Sequence, residues 1–217
     1  MNPTIFLHCA ISDDKKHVVI MNDLLQSCSI GSQLVDVDLN IFSVGKKSNE
    51  FWFNEDHHHP DYSFGEFFTL GKLKSFCDSL TENIPVCYIM TRGESNGFDN
   101  PCVIDHRKYM SYFVLQNMKT CVDLILDGYD AVGVDWSETP SPNKHKHFSG
   151  NFWWASSDYI KSLPQINPPS FSVDCGTHRH KCEFWIGLNN PKIKSLHQSG
   201  IDVMQRHVSP YPEERYT

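Results

Sequence analysis

From Thr4 to Ile11 the chain is almost without polar positions. That run predicts a strand covered on both faces, because a half-exposed strand alternates and so short a helix is seldom stable. Ser12-Asp13-Asp14 follows with side-chain oxygens suited to cap a helix, and Val18, Met21, Leu25 and Cys28 then recur at helical spacing. From Leu34 to Phe42 the period changes to two, with Val35, Val37, Leu39 and Ile41 on one face and Asp36, Asp38 and Asn40 on the other. This predicts a half-exposed strand. Lys46 to Gly65 shows neither period and reads as a polar, aromatic loop of about twenty residues, a length that suggests a functional flap.

Helical spacing returns at Leu70, Leu73, Phe76 and Leu80, with Thr69 placed as the cap. Val86-Cys87-Tyr88-Ile89-Met90 predicts a third strand that breaks at Thr91-Arg92-Gly93. A long helix is expected from about Arg107 to Asp127, capped by Asp105 and stopped by Gly128. Ala131 to Trp136 and Phe148 to Trp154 predict two more strands, joined by a Pro/Lys/His loop that runs to His147. Ser156 or Ser157 opens a short helix that stops at Pro164, and Phe184-Trp185-Ile186 lies beyond.

Strand and helix in alternation predict an α/β fold, one domain over residues 1–217, with a mostly parallel central sheet of about six strands flanked by helices. Right-handed crossovers bring the carboxyl ends of such strands to one edge, where open α/β sheets bind ligands. The candidate site is therefore His8-Cys9-Ala10, Thr91-Arg92-Gly93 and Asp135-Trp136, with whatever the last third folds over them.

Composition narrows this reading. Over 217 residues, 40% hydrophobic and 21% charged positions are ordinary for a globular protein. A net charge of −7 argues against a broad nucleic-acid surface but leaves room for a local phosphate pocket. No apolar run is long enough to span a membrane. The start of the chain lacks the features of a secretory leader, so a mature cytoplasmic protein, monomeric and with reduced thiols, is expected. Five of the eight cysteines (Cys9, Cys28, Cys77, Cys87, Cys121) sit inside apolar patterns.

Several groups are candidates for chemistry. Arg92 can fork onto a phosphate or carboxylate where Gly93 lets backbone approach a ligand, though a plain turn fits the tripeptide too. Asp36-Val37-Asp38 has the spacing of a cation pair but falls mid-strand, where a solvated face suffices. His57-His58-His59 reads as a solvated loop. Cys175, His178, His180 and Cys182 approximate a zinc site without matching a standard spacing. No P-loop, dinucleotide glycine motif or nucleophile elbow occurs. In Phe148-Ser149-Gly150-Asn151-Phe152-Trp153-Trp154 the paired tryptophans suit either a sugar ring or a core strand.

Four segments in order resemble small GT-A-fold glycosyltransferases of bacteria and of large algal viruses, such as chlorella viruses, where they build capsid-protein glycans. They are Tyr88 to Gly93, Tyr129 to Trp136, His147 to Ala155, and Glu183 to Gly187. The likeness runs from about Thr4 to Trp185. It implies that residues from 1 to about 136 bind a nucleotide sugar and that residues from about 137 to 217 bind the acceptor and sugar. It also implies a UDP-sugar donor (UDP-rhamnose or UDP-glucose), a glycan acceptor and Mn²⁺ or Mg²⁺. By this resemblance His8, Cys9, Ala10, Thr91, Arg92, Gly93, Gly150, Asn151 and Trp153 are donor-binding. Glu183 is the expected base, with Asp135 second, and Asp135 and His207 are candidate metal ligands. The chain departs from the pattern at Met90-Thr91-Arg92, where that fold carries an Asp-x-Asp, so Arg92 is expected to assume part of the metal's role. The rival readings are a non-catalytic nucleotide- or carbohydrate-binding module and a zinc-stabilised interaction domain around Cys175 to Cys182.

Overall fold

The computed structural model describes residues 1–12, 15–48, 50–51, 54–94, 97–138, 145–166, 178–202 and 205–217. Strand β1 (Thr4–Ile11) leads through α1 (Lys16–Gly31) to β2 (Asp38–Gly45). The short strand β3 (His58–His59) precedes α2 (Glu66–Ser79) and β4 (Pro85–Met90). After α3 (Pro101–Ser111) and α4 (Met118–Leu126) come β5 (Ala131–Gly133), β6 (Trp136–Glu138), β7 (Lys146–Phe148) and β8 (Trp153–Ser156). The described chain closes with α5 (Ser157–Ser162), α6 (His178–Trp185), β9 (Ile193–Ser195) and an irregular C-terminal segment.

Seven strands form one sheet in the order β3-β2-β1-β4-β8-β5-β9, and β6 and β7 pair as a separate ribbon. Only β8 runs against its neighbours β4 and β5. The sheet is thus mixed and mostly parallel, flanked by helices, as the alternation predicts. From β1 the chain steps outward to β2 and then returns past β1 to β4. Two right-handed crossovers in opposite directions put α1 and α2 on opposite faces. Accordingly α1 packs on the segment after α3, while α2 packs on α5 and α6. The reversal also splays the connections leaving β1 and β4, opening a crevice between their carboxyl ends.

Local departures from expectation have local causes. The long helix begins earlier, because Asn100 accepts a hydrogen bond from the Cys102 amide and Pro101 takes the first turn; Asp105 lies inside α3 rather than at its cap. The helical path then widens into a π-turn over Tyr112–Gln116 before α4. The expected strand from Phe148 to Trp154 is two strands. Gly150 (φ 92°) and Asn151 (φ 60°) take left-handed conformations that turn the chain from β7 into β8. Strand β2 starts at Asp38 and runs on to Gly45, since its last four residues are covered and Leu34 and Leu39 are exposed. Thr69 lies within α2, whose cap position is Gly65. Lys15 stands at the start of α1 without a side-chain cap bond, while Asp13 and Asp14, expected there, lie outside the described residues.

The core is rich in aromatics. Trp153, Trp154, Trp185, Tyr88 and Tyr109 are fully buried, and each tryptophan indole N–H is hydrogen-bonded. Both indoles point into the packed interior: Trp154 donates to the Val114 carbonyl and Trp153 to the Asn151 side chain. Seven described cysteines are free thiols. Burial pushes Cys28 and Cys77 up to about 12 and raises the thiols of Cys9, Cys87, Cys121 and Cys182 as well, which disfavours the thiolate form a nucleophile needs.

Candidate functional site

The crevice between β1 and β4 holds a cavity of about 310 Å³, within the range of small-molecule sites. Its wall includes His8 and Ala10 from β1, Thr91 and Gly93 beyond β4, and Glu66 at the head of α2. Alternation along β1 explains why His8 and Ala10 line it while Cys9, between them, does not. A larger cavity of about 440 Å³ opens at the opposite edge, but its polar groups satisfy one another: Asn83 accepts from the Ser156 hydroxyl and the Asp158 amide.

Thr91 ties the two strand ends together. Its hydroxyl accepts from the Ala10 amide at 3.0 Å, and its own amide donates to the His8 carbonyl at 2.9 Å. His8 bonds through Nδ1 to the Thr69 hydroxyl at 2.8 Å, and burial pulls its pKa down to about 3, so the imidazole is neutral. Gly93 is required by its φ of 93° and because a Cβ there would meet Val103 at 2.9 Å. Arg107 donates to the Arg92 carbonyl at 3.2 Å and to Asp23 at 3.2 Å, which braces the turn from behind.

Two carboxylates absent from the sequence reading belong to this wall. Glu66, 8% exposed, accepts on one oxygen from the Tyr88 hydroxyl at 3.0 Å and from the Asn151 amide at 2.6 Å. Glu94, 2% exposed, accepts from the Ser12 amide at 2.9 Å and the Tyr62 hydroxyl at 2.7 Å. Their signals were their places: one directly after the long polar loop, the other directly after Thr91-Arg92-Gly93. Asn151 and Trp153 therefore reach the cavity only through Glu66. Gly150 lies against Met110 and His106, away from the cavity wall.

Helix α6 brings Glu183 to the turn after β4. Arg92 Nη1 lies 3.9 Å from Glu183 Oε1, with both side chains largely buried. His147, from β7, is 1% exposed and packs its ring against Phe184. Burial lowers its pKa, opposed in part by the Glu183 charge.

Asp135 stands apart from this pair. It is 3% exposed, accepts from the Ser199 amide at 2.6 Å and forms a salt bridge with Arg206 at 2.7 Å. His207 is exposed, and its carbonyl accepts from Asn100. Among the described residues no three His, Cys, Asp or Glu side chains stand together to hold a metal. The Cys175 to Cys182 group falls partly outside the described residues; of its members Cys182 is buried and His180 is exposed. In the histidine run, His58 bonds to the Ser43 hydroxyl, and His57 and His59 lie against Phe42 and Phe64.

Sheet order and a cavity at the reversal define a Rossmann-like α/β protein, an arrangement compatible with nucleotide or sugar binding in general. Residues 20–184 match the family described as a domain of unknown function (DUF8361), and the chain belongs to that family. Neither a curated protein nor a solved structure matches it. No helix among the described residues is long and apolar enough to cross a membrane.

Proposed function

We propose that this protein is a GT-A-type glycosyltransferase that moves a sugar from a UDP-sugar to a glycan hydroxyl. The observation that carries the reading is the Arg92–Glu183 pair, 3.9 Å apart, whose chain neighbours Thr91, Gly93 and Cys182 line the cavity at the ends of β1 and β4. A glycosyl transfer needs a cation where the diphosphate leaves and a base where the acceptor hydroxyl attacks. In this reading the nucleoside occupies the cavity, near His8, Ala10 and Glu94. The diphosphate lies against the Arg92 guanidinium. Glu183 takes the acceptor proton as the hydroxyl oxygen bonds to the anomeric carbon. The bond from that carbon to the phosphate oxygen breaks, and its electron pair leaves with UDP.

The first test is nucleotide selectivity measured by thermal unfolding. A ligand that binds only the folded chain stabilises it by about 2.7 kcal/mol at a hundredfold excess over Kd. UDP is expected to raise Tm clearly and GDP and CMP to raise it little. Equal shifts from all three would remove the UDP assignment. A selective UDP shift without transfer to any glycan would instead favour the binding-module reading.

A further inference from the structure

We propose that the cation of this site is built into the chain: the Arg92 guanidinium neutralises the donor diphosphate, and no divalent metal is needed to bind it. The proposal rests on the donor reading above and deepens it. A metal ion would need carboxylates at the carboxyl ends of the central strands. Just beyond β4 the chain runs Thr91-Arg92-Gly93-Glu94: the threonine hydroxyl is engaged by the Ala10 amide, the arginine is itself a cation, and the Glu94 carboxylate accepts from the Ser12 amide on one oxygen and from the Tyr62 hydroxyl on the other. Just beyond β5 the carboxylate is Asp135, and it already has a cation, the Arg206 guanidinium at 2.7 Å.

That pair is buried on both sides, with side-chain exposures of 4% and 3%. For Asp135 to ligate a metal it would have to release Arg206 into a buried position without a counter-ion, which is strongly unfavourable. An incoming divalent ion would also meet the guanidinium charge at short range. Arg206 is held in place by further contacts. Its Nη1 donates to His106 Nε2 at 2.7 Å, and its Nη2 lies 3.3 Å from the Ile201 carbonyl. Arginine can only donate, so His106 accepts at Nε2 and carries its proton on Nδ1. Burial, with the charges of Arg92 and Arg206, keeps that imidazole neutral. The guanidinium nearer the cavity by chain position is that of Arg92, whose neighbours Thr91 and Gly93 line it, and guanidinium forks match phosphate oxygens.

The test is calorimetric titration of the whole chain with UDP, once in EDTA and once in MnCl2, paired with Mn²⁺ electron paramagnetic resonance. The expected result is a UDP Kd that agrees within about twofold between the two buffers, with no Mn²⁺ bound at one per chain. A rise in UDP affinity of about tenfold or more with Mn²⁺, absent in Asp135→Asn, would overturn the proposal. If UDP fails to bind in either buffer, the donor reading falls. The built-in cation then falls with it, whereas a Mn²⁺-dependent rise in UDP affinity overturns the built-in cation alone and leaves the donor reading standing.

Discussion

Glu183 and Arg92 come from α6 and from the turn after β4, ninety-one positions apart, yet their charged atoms lie 3.9 Å apart. Each makes a different prediction. Glu183→Gln keeps the shape and the donor contacts but cannot take a proton, so transfer to a glycan acceptor is expected to fall by about 10²–10⁴-fold with UDP affinity little changed. A near-normal transfer rate in this variant would remove Glu183 as base. Arg92→Ala is expected to weaken UDP by about 1.5–3 kcal/mol and uridine much less, because the guanidinium addresses the phosphates. Equal losses for UDP and uridine, read by calorimetry, would put Arg92 elsewhere. Both residues were visible in the sequence through their motifs. Glu66 and Glu94 were not, because nothing in a single glutamate says that Tyr88, Asn151, Tyr62 or Ser12 will close around it.

Between elements, the turn from β7 into β8 decides how the wall is supported. Phe148 pairs with Trp136 in the ribbon, Trp153 pairs with Tyr88 in the main sheet, and four residues separate the two strands. Gly150 makes that turn at a φ of 92°, with Met110 Sδ 2.4 Å from where a Cβ would sit and His106 at 3.1 Å. Gly150→Ala therefore meets both a left-handed backbone and a packed neighbour. A loss of about 2 kcal/mol or more in urea unfolding is expected. Gly150→Ala with Met110→Ala relieves the clash and not the backbone strain, so it should not restore stability. A wild-type unfolding midpoint in Gly150→Ala would contradict this account. The sequence pattern joined Phe148 to Trp154 as one strand because both ends are apolar. The turn is decided by the packing of α3 against it.

For the molecule as a whole, three buried histidines set the response to acid. Burial lowers the pKa of His8, His106 and His147 below the ordinary value of 6.5. Below that value the unfolded chain takes up protons that the native imidazoles refuse. The stabilisation is complete above 6.5 and is lost progressively as pH falls from there toward the native values. Each fully neutral histidine contributes a slope of up to about 1.4 kcal/mol per pH unit. Urea midpoints measured from about pH 7 down to about pH 5 are expected to fall steadily, and His8→Gln should flatten the slope by about one proton. Constant midpoints over that span would show that these side chains are accessible to protons in the native state.

The order of the elements was determined by the chain itself, because the burial of β1 and β4 on both faces and the helical periods between them are local properties of successive side chains. The sequence likewise placed Thr91-Arg92-Gly93 at a strand end and Glu183 close to a tryptophan. What only the tertiary structure decided is who meets whom. The reversal from β2 past β1 to β4 makes the crevice, and α6 delivers Glu183 to Arg92. The C-terminal segment delivers Arg206 to Asp135, which turns a candidate ligand into half of a buried ion pair. Such pairings depend on the direction of the chain's return and on charges dozens of residues apart. Hydrophobic periodicity carries neither, since it records which face of an element is covered and not which residue covers it.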